Sequence, residues 1–514
     1  MWHGLFIIYT PILKIIFYAE NHYAYPLTDP YGMDTETKKD LIESINDTKT
    51  TSFHYKTWLI SGLGFFTDAY DLFIIGVVTS ILVLSGWTQF STLESSLLDS
   101  TALLSAVIGA LIFGRLLDKL GRKAIYGLEL VILVVGALGS AFLTPINGVY
   151  ILIIWRFILG IGIGGDYATS STIMAEYSNT KSRGKLVGMV FSMQSLGLLA
   201  GPLISLGLIY SGMNLGLVWK LLLAFGAIPA MSVIYYRRRM PETPRYLLRV
   251  KGDAQGATKN WKKYTGISAT ADATTETVRE SWTEILKQRK FLLTLLGTAG
   301  SWFLMDWALY GNSIMSNTML SVLVPASVTG LHHLITTTEY SALIFGLAAL
   351  PGYWLATFTI DRIGRKPIQI IGFTAMAISF AILGIFHQLL SASYVAEFLA
   401  VYGISYFFIE FGPNVTTFIY PPEVFPTKVR GFGSGASAAG GKTGAFIGTF
   451  LNVIIISSSI GESGLFLILA FLSVLGLILT VTLLPEPKRL DLDQISGENS
   501  LLADNAMSAK TGMK

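Results

Sequence analysis

The sequence predicts an all-α, polytopic membrane protein: twelve transmembrane helices in two pseudo-symmetric six-helix bundles. Three observations carry that expectation. Of 514 residues, 52% are hydrophobic and only 14% charged, against roughly 25% charged in an ordinary soluble domain, and the mean hydropathy is +0.56. Apolar runs of about 20 residues, the length that crosses a bilayer, recur along the whole chain. The chain also repeats itself, since Asp118-Lys-Leu-Gly-Arg-Lys123 returns 243 residues later as Asp361-Arg-Ile-Gly-Arg-Lys366.

The apolar runs fall at 57–86, 98–116, 124–143, 149–177, 186–211, 217–236, 291–322, 338–360, 368–387, 393–420, 432–457 and 463–484. Lys and Arg collect in the even connections, at Arg115 to Lys123, Lys181 to Lys185, Arg237 to Arg245, Arg362 to Lys366, and Lys428 and Arg430, whereas the odd ones hold little beyond Lys220. By the positive-inside rule the even connections and both termini face the cytoplasm of a cell-membrane protein. Residues 1–56 form an N-terminal leader and cytoplasmic segment, 57–240 the first bundle, 241–290 a polar cytoplasmic linker, 291–484 the second bundle and 485–514 a cytoplasmic tail, polar and disordered after Arg489. Residues 1–18 are apolar but carry Pro11 and Lys14, which suits an interfacial helix better than a cleaved signal, and Met33 would open a more ordinary polar lead.

Two further echoes extend the repeat. Pro241-Glu242-Thr-Pro-Arg245 matches Pro485-Glu486-Pro-Lys-Arg489, and Glu176 followed by Arg183-Gly184 matches Glu423 followed by Arg430-Gly431. Parallel six-helix repeats place a binding site between the halves near mid-bilayer.

Composition excludes several classes. The chain has no cysteine and six histidines, which removes disulfides and thiolate chemistry; no histidine pair has metal spacing within a span, and His332 and His333 fall in an outer loop. No cofactor, metal or nucleic-acid partner is expected, and no nucleophile, base and oxyanion set converges, so the chain is not an enzyme. Gly160-Ile-Gly162-Ile-Gly164-Gly165 imitates a dinucleotide fingerprint but lies inside a span, where small residues serve close helix packing. Gly440-Gly441-Lys442-Thr443 imitates a phosphate loop without the preceding strand.

The paired Asp-x-x-Gly-Arg-Lys connections read as a gate. An acid there can meet a helix N-terminus or an arginine across the bundle, and Gly can turn tightly. Its expected members are Asp118, Arg122, Asp361 and Arg365, together with the repeated Glu176, Arg183, Glu423 and Arg430.

Charges inside the spans are the most informative residues, because one at the centre of a helix costs about 2.5 to 3.5 kcal/mol. At 1.5 Å per residue, Asp68 lies about 16 Å into the first span, Asp306 about 22 Å into the seventh, and Lys442 about 16 Å beyond Gly431. Asp71 lies one turn from Asp68 on a similar face, Asp166 is deep in the fourth span, and Glu129 and Glu410 lie within the third and tenth. Trp302, Asp306 and Tyr310 make one stripe of the seventh span. Asp166 precedes Gln194, and Asn414 precedes Lys442, by the same 28 residues, so both halves contribute to a polar cage.

The twelve spans and doubled loops resemble the major facilitator superfamily over residues 57–489. More narrowly, GFFTDAYDLF (64–73), RFILGIGIGGDYATS (156–170), WFLMDWALYG (302–311), FGPNVTTF (411–418) and EVFPTKVRG (423–431) resemble the phosphate:proton symporter family. That resemblance implies a phosphate cage of Tyr167, Gln194, Trp302, Asp306, Tyr310, Asn414 and Lys442, with Asp68, Asp71 and Asp166, and by its position Glu129, in the proton route. Ala168 after the Asp-Tyr pair and the acid at Glu410 depart from the family pattern.

The chemistry agrees. Lys442 supplies one positive charge, and Tyr, Trp, Gln and Asn supply the neutral hydrogen bonds that a desolvated oxyanion needs. Asp306 and Asp166 would repel an anion unless one is protonated, so proton and substrate binding are linked. The expectation is a monomeric, proton-coupled symporter of inorganic phosphate working by alternating access in the lipid bilayer. A proton-coupled sugar or organic-acid carrier, and a membrane nutrient receptor signalling through 241–290, stand as alternatives.

Overall fold

The computed structural model describes residues 39–502. The apolar leader, Met33 and the last twelve residues lie outside the described residues. Among the described residues, twelve helices are long and apolar enough to cross a membrane: Ser52–Leu84, Thr92–Leu120, Arg122–Phe142, Val149–Tyr177, Arg183–Tyr210, Leu215–Arg239, Arg289–Ser313, Gly330–Ile363, Arg365–Ile385, Val395–Val424, Arg430–Ile456 and Gly461–Leu483. They are called spans 1 to 12.

Local signals set their ends. Ser91 caps span 2 in a reciprocal box with Glu94, which satisfies otherwise orphaned backbone donors. Span 1 starts five residues earlier than the apolar run, at Ser52, because polar residues extend the helix; Asp68 therefore lies about 24 Å along it. Span 7 ends at Ser313 and is followed by a separate short helix, Ser316–Ser321. Span 8 opens at Gly330, so His332 and His333 belong to a helix and not to the outer loop expected for them.

Spans 8 and 10 are not regular α-helix throughout. Phe345–Ala349 and Glu410–Asn414 form π-helical turns; in the second, Gly412 leaves helical geometry (φ −103°, ψ −113°) and Pro413 has no N–H to donate. Such turns disturb the regular ladder and occur often at functional sites. Span 4 does use its glycines for packing: a Cβ on Gly160 or Gly164 would come within 2.1 Å of the Ala102 or Ala106 carbonyl oxygen of span 2. Within each half spans 2 and 4, 1 and 5, 7 and 11, and 9 and 12 pack together, while spans 2 on 11 and 5 on 8 join the halves.

The connections at the basic end are more ordered than their composition suggests. Leu41–Asp47 and Ala254–Thr265 are helices whose Leu41, Ile42, Ile45, Ala257 and Trp261 share a small core with Leu248. The tail departs from its expected disorder: Leu492–Ser496 is helical, and Asp493 is buried between Arg245 (2.9 Å) and Arg249 (2.7 Å). Burial pushes the Asp493 carboxyl up, but these guanidiniums outweigh it and hold it below the usual carboxylate range. Polar composition misleads here because ion pairs and a few scattered apolar side chains, Leu492 and Leu501 among them, fasten the segment without an apolar run.

Candidate functional site

At the basic end, the two Asp-x-x-Gly-Arg-Lys turns reach across to the opposite half. Gly121 (φ +102°) and Gly364 (φ +113°) hold backbone conformations that favour glycine, and so aim the preceding acids outward. Asp118 accepts hydrogen bonds from the Gly431 and Phe432 N–H groups, each 2.9 Å, at the N-terminus of span 11. Asp361 accepts from Gly184 (3.1 Å) and Lys185 (2.8 Å) at the N-terminus of span 5. A carboxylate in this position meets both unsatisfied donors and the positive end of the helix dipole.

Arginines close the remaining gaps. Arg122 donates to Glu176 (2.7 Å) and across the halves to the Thr427 carbonyl (2.8 Å), while Arg430 donates to Glu176 from the other half (3.2 Å). The pseudo-symmetric set joins Glu423 to Arg365 (2.6 Å) and, across the halves, to Arg183 (2.9 Å). Glu242 and Glu486, from the repeated Pro-Glu elements, accept the backbone N–H groups of Arg122 and Arg365. The basic end is thus held shut by a set of bonds that cross between the halves. Asp118→Asn keeps an acceptor oxygen but loses the charge, worth about 0.3 to 1 kcal/mol at a helix terminus. Amide hydrogen exchange around Gly431 and Phe432 is therefore expected to quicken up to about fivefold, and unchanged protection would refute the role of the charge.

Mid-bundle, one hydrogen-bonded chain crosses six spans. Lys442 of span 11 donates to Asp306 (3.0 Å) and Tyr310 (2.7 Å) of span 7. The Tyr310 and Tyr167 hydroxyls lie 3.0 Å apart, and Gln194 of span 5 donates to Tyr167 (2.6 Å). Tyr353 of span 8 donates to the Gln194 amide oxygen (3.2 Å), and Asn414 of span 10 donates to Tyr353 (2.7 Å) and to Glu410. The Lys442 ammonium also rests 4.2 and 4.0 Å from the Tyr167 and Tyr310 ring centroids, a favourable cation–π placement. Trp302 lies 5.9 Å from the Tyr167 ring, and its side chain borders Asp306. All seven expected cage residues are buried and brought together. On the basic side, Phe65 and Phe191 pack on Phe418 at 4.9 and 4.4 Å, an apolar layer between cage and gate.

The acids expected in the proton route divide into separate groups. Asp166 (2.7 Å) and Glu129 (2.9 Å) both pair with Arg237 of span 6. Asp68 is fully buried, and neither of its carboxylate oxygens takes a hydrogen bond among the described residues. The charges acting on it are Asp166, Arg237, Asp71 and Lys442. Asp71 does not share that setting, despite its expected similar face: its carboxylate lies against Gly226 of span 6, and its carbonyl accepts from Arg156 of span 4 (2.7 Å). The helix turns about 300° over three residues, enough to send the two side chains to different neighbours.

Three participants were missed. Arg237 reads in sequence as one of three arginines marking a connection, yet it is fully buried; its neighbours Arg238 and Arg239 fit the boundary reading, and no local signal separates them. Arg156 is a buried charge inside a span, which the same cost argument should have singled out. Tyr353 joins the two halves of the cage, but one tyrosine in an apolar run has no distinguishing pattern. At the opposite end, a cavity of about 440 Å³ lies between the halves, bordered by Thr79, Gln89, Asn317 and His333.

The chain is similar to known proteins. The model for the sugar (and other) transporter family matches residues 44–498. Inorganic phosphate transporter 1-1 of Oryza sativa subsp. japonica is 36% identical over 510 residues, covering 89% of this chain and 96% of its own. The repressible high-affinity phosphate permease of Neurospora crassa is 35% identical over 500 residues, covering 87% of each. Among solved structures, the proton:xylose symporter XylE of the major facilitator superfamily, bound to 6-bromo-6-deoxy-D-glucose, superposes with a TM-score of 0.71 at 20% identity, covering 87% of this chain and 99% of its own. XylE from E. coli in a partially occluded inward-open conformation gives 0.67, again at 20% identity, with 85% and 99% covered.

Proposed function

The chain belongs to the sugar (and other) transporter family of the major facilitator superfamily, and from that premise we propose that it carries inorganic phosphate together with protons across the cell membrane. The observation that carries this reading is the buried cage, in which one ammonium, Lys442, stands among neutral hydroxyl, indole and amide groups on spans 4, 5, 7, 8 and 10. An oxyanion stripped of water needs one cation and several neutral donors, and the cage offers both. The names of the relatives, phosphate transporters and a phosphate permease, support the same substrate. A sugar, being neutral, has no need of the lysine.

The two bundles, 57–240 and 291–484, would rock about this cage as a monomer, with the basic end and both termini on the cytoplasmic side. Charge bookkeeping supplies the coupling. Lys442 and Asp306 cancel, so an entering anion adds a bare negative charge to a buried site. A proton on Asp68, which lacks a hydrogen-bond partner, offsets that charge. Opening the basic end breaks the bonds of Asp118, Asp361, Arg183 and Arg430 across the halves, and lets water draw both phosphate and proton away.

Purified protein in liposomes is expected to take up phosphate when the outside is acidified. Uptake of a neutral sugar with none of phosphate would replace the substrate, and binding without any movement would favour a receptor.

A further inference from the structure

Among the described residues the buried carboxylates of the gate, the Arg237 cluster and Asp306 each have a cation in contact, whereas Glu410, like Asp68 and Asp71, has none. Glu176 meets Arg122 and Arg430, Glu423 meets Arg183 and Arg365, Asp166 and Glu129 meet Arg237, and Asp306 meets Lys442. Glu410, at the end of the hydrogen-bonded chain that starts at Lys442, is fully buried. One of its oxygens accepts from the Asn414 amide, and the other has no hydrogen bond among the described residues.

The surroundings of Glu410 are uncharged or negative. Tyr353 faces it from span 8, Asp306 from span 7, and Tyr406 from one turn earlier in span 10. Lys442 is spent on Asp306. Span 8 closes on it at Gly352, where a Cβ would stand 3.0 Å from the Glu410 Cβ, and span 9 closes on the same turn at Gly372, where a Cβ would stand 2.4 Å from the Gly412 Cα. An ionised carboxylate with neither cation nor full hydrogen bonding is the arrangement that a low-dielectric interior disfavours most.

We infer that Glu410 holds a proton in this closed state and is a second proton-carrying group of the cycle, acting with Asp68. The inference rests on the phosphate:proton symport reading and extends it to the opposite half of the molecule. The O–H bond at Glu410 forms with a proton from the acidic side. It breaks when the basic end opens, the proton passing to water there and the bonding pair staying on the carboxylate. Anion and proton favour each other for two reasons. With Glu410 ionised, a bound anion would meet a second uncompensated negative charge; with Glu410 neutral, it does not. An ionised Glu410 also competes for the Asn414 amide N–H, whereas the neutral acid binds that donor more weakly and frees it for the substrate. The site of the exchange is mechanically apt, because Glu410 opens the π-helical turn that contains the non-helical Gly412.

The steady accumulation ratio tests this, since it depends on how many protons accompany each phosphate and not on the rate. In liposomes with the membrane potential clamped at zero, each proton contributes about tenfold in accumulation per pH unit of gradient. Glu410→Gln is expected to lower the ratio about tenfold at a one-unit gradient, while Glu410→Asp keeps it at the wild-type value. A wild-type ratio in Glu410→Gln overturns the inference and leaves phosphate transport standing; failure of the wild type to move phosphate overturns the substrate reading instead. If Glu410→Gln does not fold or does not transport, calorimetry of phosphate binding to Asp68→Asn in two buffers of different ionisation heat decides. Run at rising pH, that protein, with Glu410 intact, takes up no proton on binding where Glu410 is already protonated and must take one up once the pH is high enough to ionise it; zero uptake at every pH overturns the inference.

Discussion

Lys442→Ala is expected to lower phosphate affinity at least about 100-fold in calorimetry on purified protein. The ammonium makes two direct bonds, to Asp306 at 3.0 Å and Tyr310 at 2.7 Å, and it is 1% exposed. A hydrogen bond to a charged group contributes about 1.5 to 3 kcal/mol, and removing one partner of a buried pair costs about 3 to 5 kcal/mol because the other is left uncompensated. At about 1.4 kcal/mol per tenfold, the second figure alone corresponds to a loss of 100-fold or more. In the variant Asp306 would face the anion with no cation between them. Lys442→Arg keeps the charge and is expected to lose less. Its planar, larger guanidinium cannot replace a point ammonium seated 4.0 to 4.2 Å from two ring centroids without displacing Tyr167 or Tyr310. Equal affinities for the wild type and the Ala variant would remove Lys442 from the site.

Asp68→Asn is expected to retain phosphate binding within a few-fold and to lower the attainable accumulation ratio about tenfold for each pH unit of the driving gradient. The side chain is fully buried and its two oxygens have no hydrogen-bond donor among the described residues, so Asn replaces it without breaking a bond. Asn matches its size but cannot load or release a proton. The cage is separate: none of the bonds joining Lys442, Tyr310, Tyr167, Gln194, Tyr353 and Asn414 involves Asp68. A purely structural Asp68 would instead lower folded yield and binding together. The decisive measurement takes binding and gradient-driven uptake from one folded preparation, and wild-type accumulation there would eliminate Asp68 as a proton carrier.

Much of the architecture was legible in the sequence because membrane physics is local. A run of apolar residues long enough to cross declares itself wherever it lies, and all twelve were placed with errors confined to their ends. The duplicated Asp118 and Asp361 turns could be read as a gate because acid, glycine and arginine recur at one spacing, and any charge buried in a span is costly enough to need a reason. The same argument drew attention to Asp68, Asp306, Lys442 and Glu410.

What the sequence by itself determined, then, is the membrane fold, its internal repeat and the inventory of buried polar residues. Only the tertiary structure decided which of them meet. It sent Asp68 and Asp71 to different neighbours, took Arg237 from a basic boundary into a pair with Asp166 and Glu129, and supplied Tyr353 as the bridge between Gln194 and Asn414. It also ordered the start of the polar tail by setting Asp493 between Arg245 and Arg249. The physical reason is range: hydropathy and helical period are properties of neighbours in the chain, whereas the partner of a buried charge lies on another helix, anywhere from tens to hundreds of residues away, and only packing brings the two together.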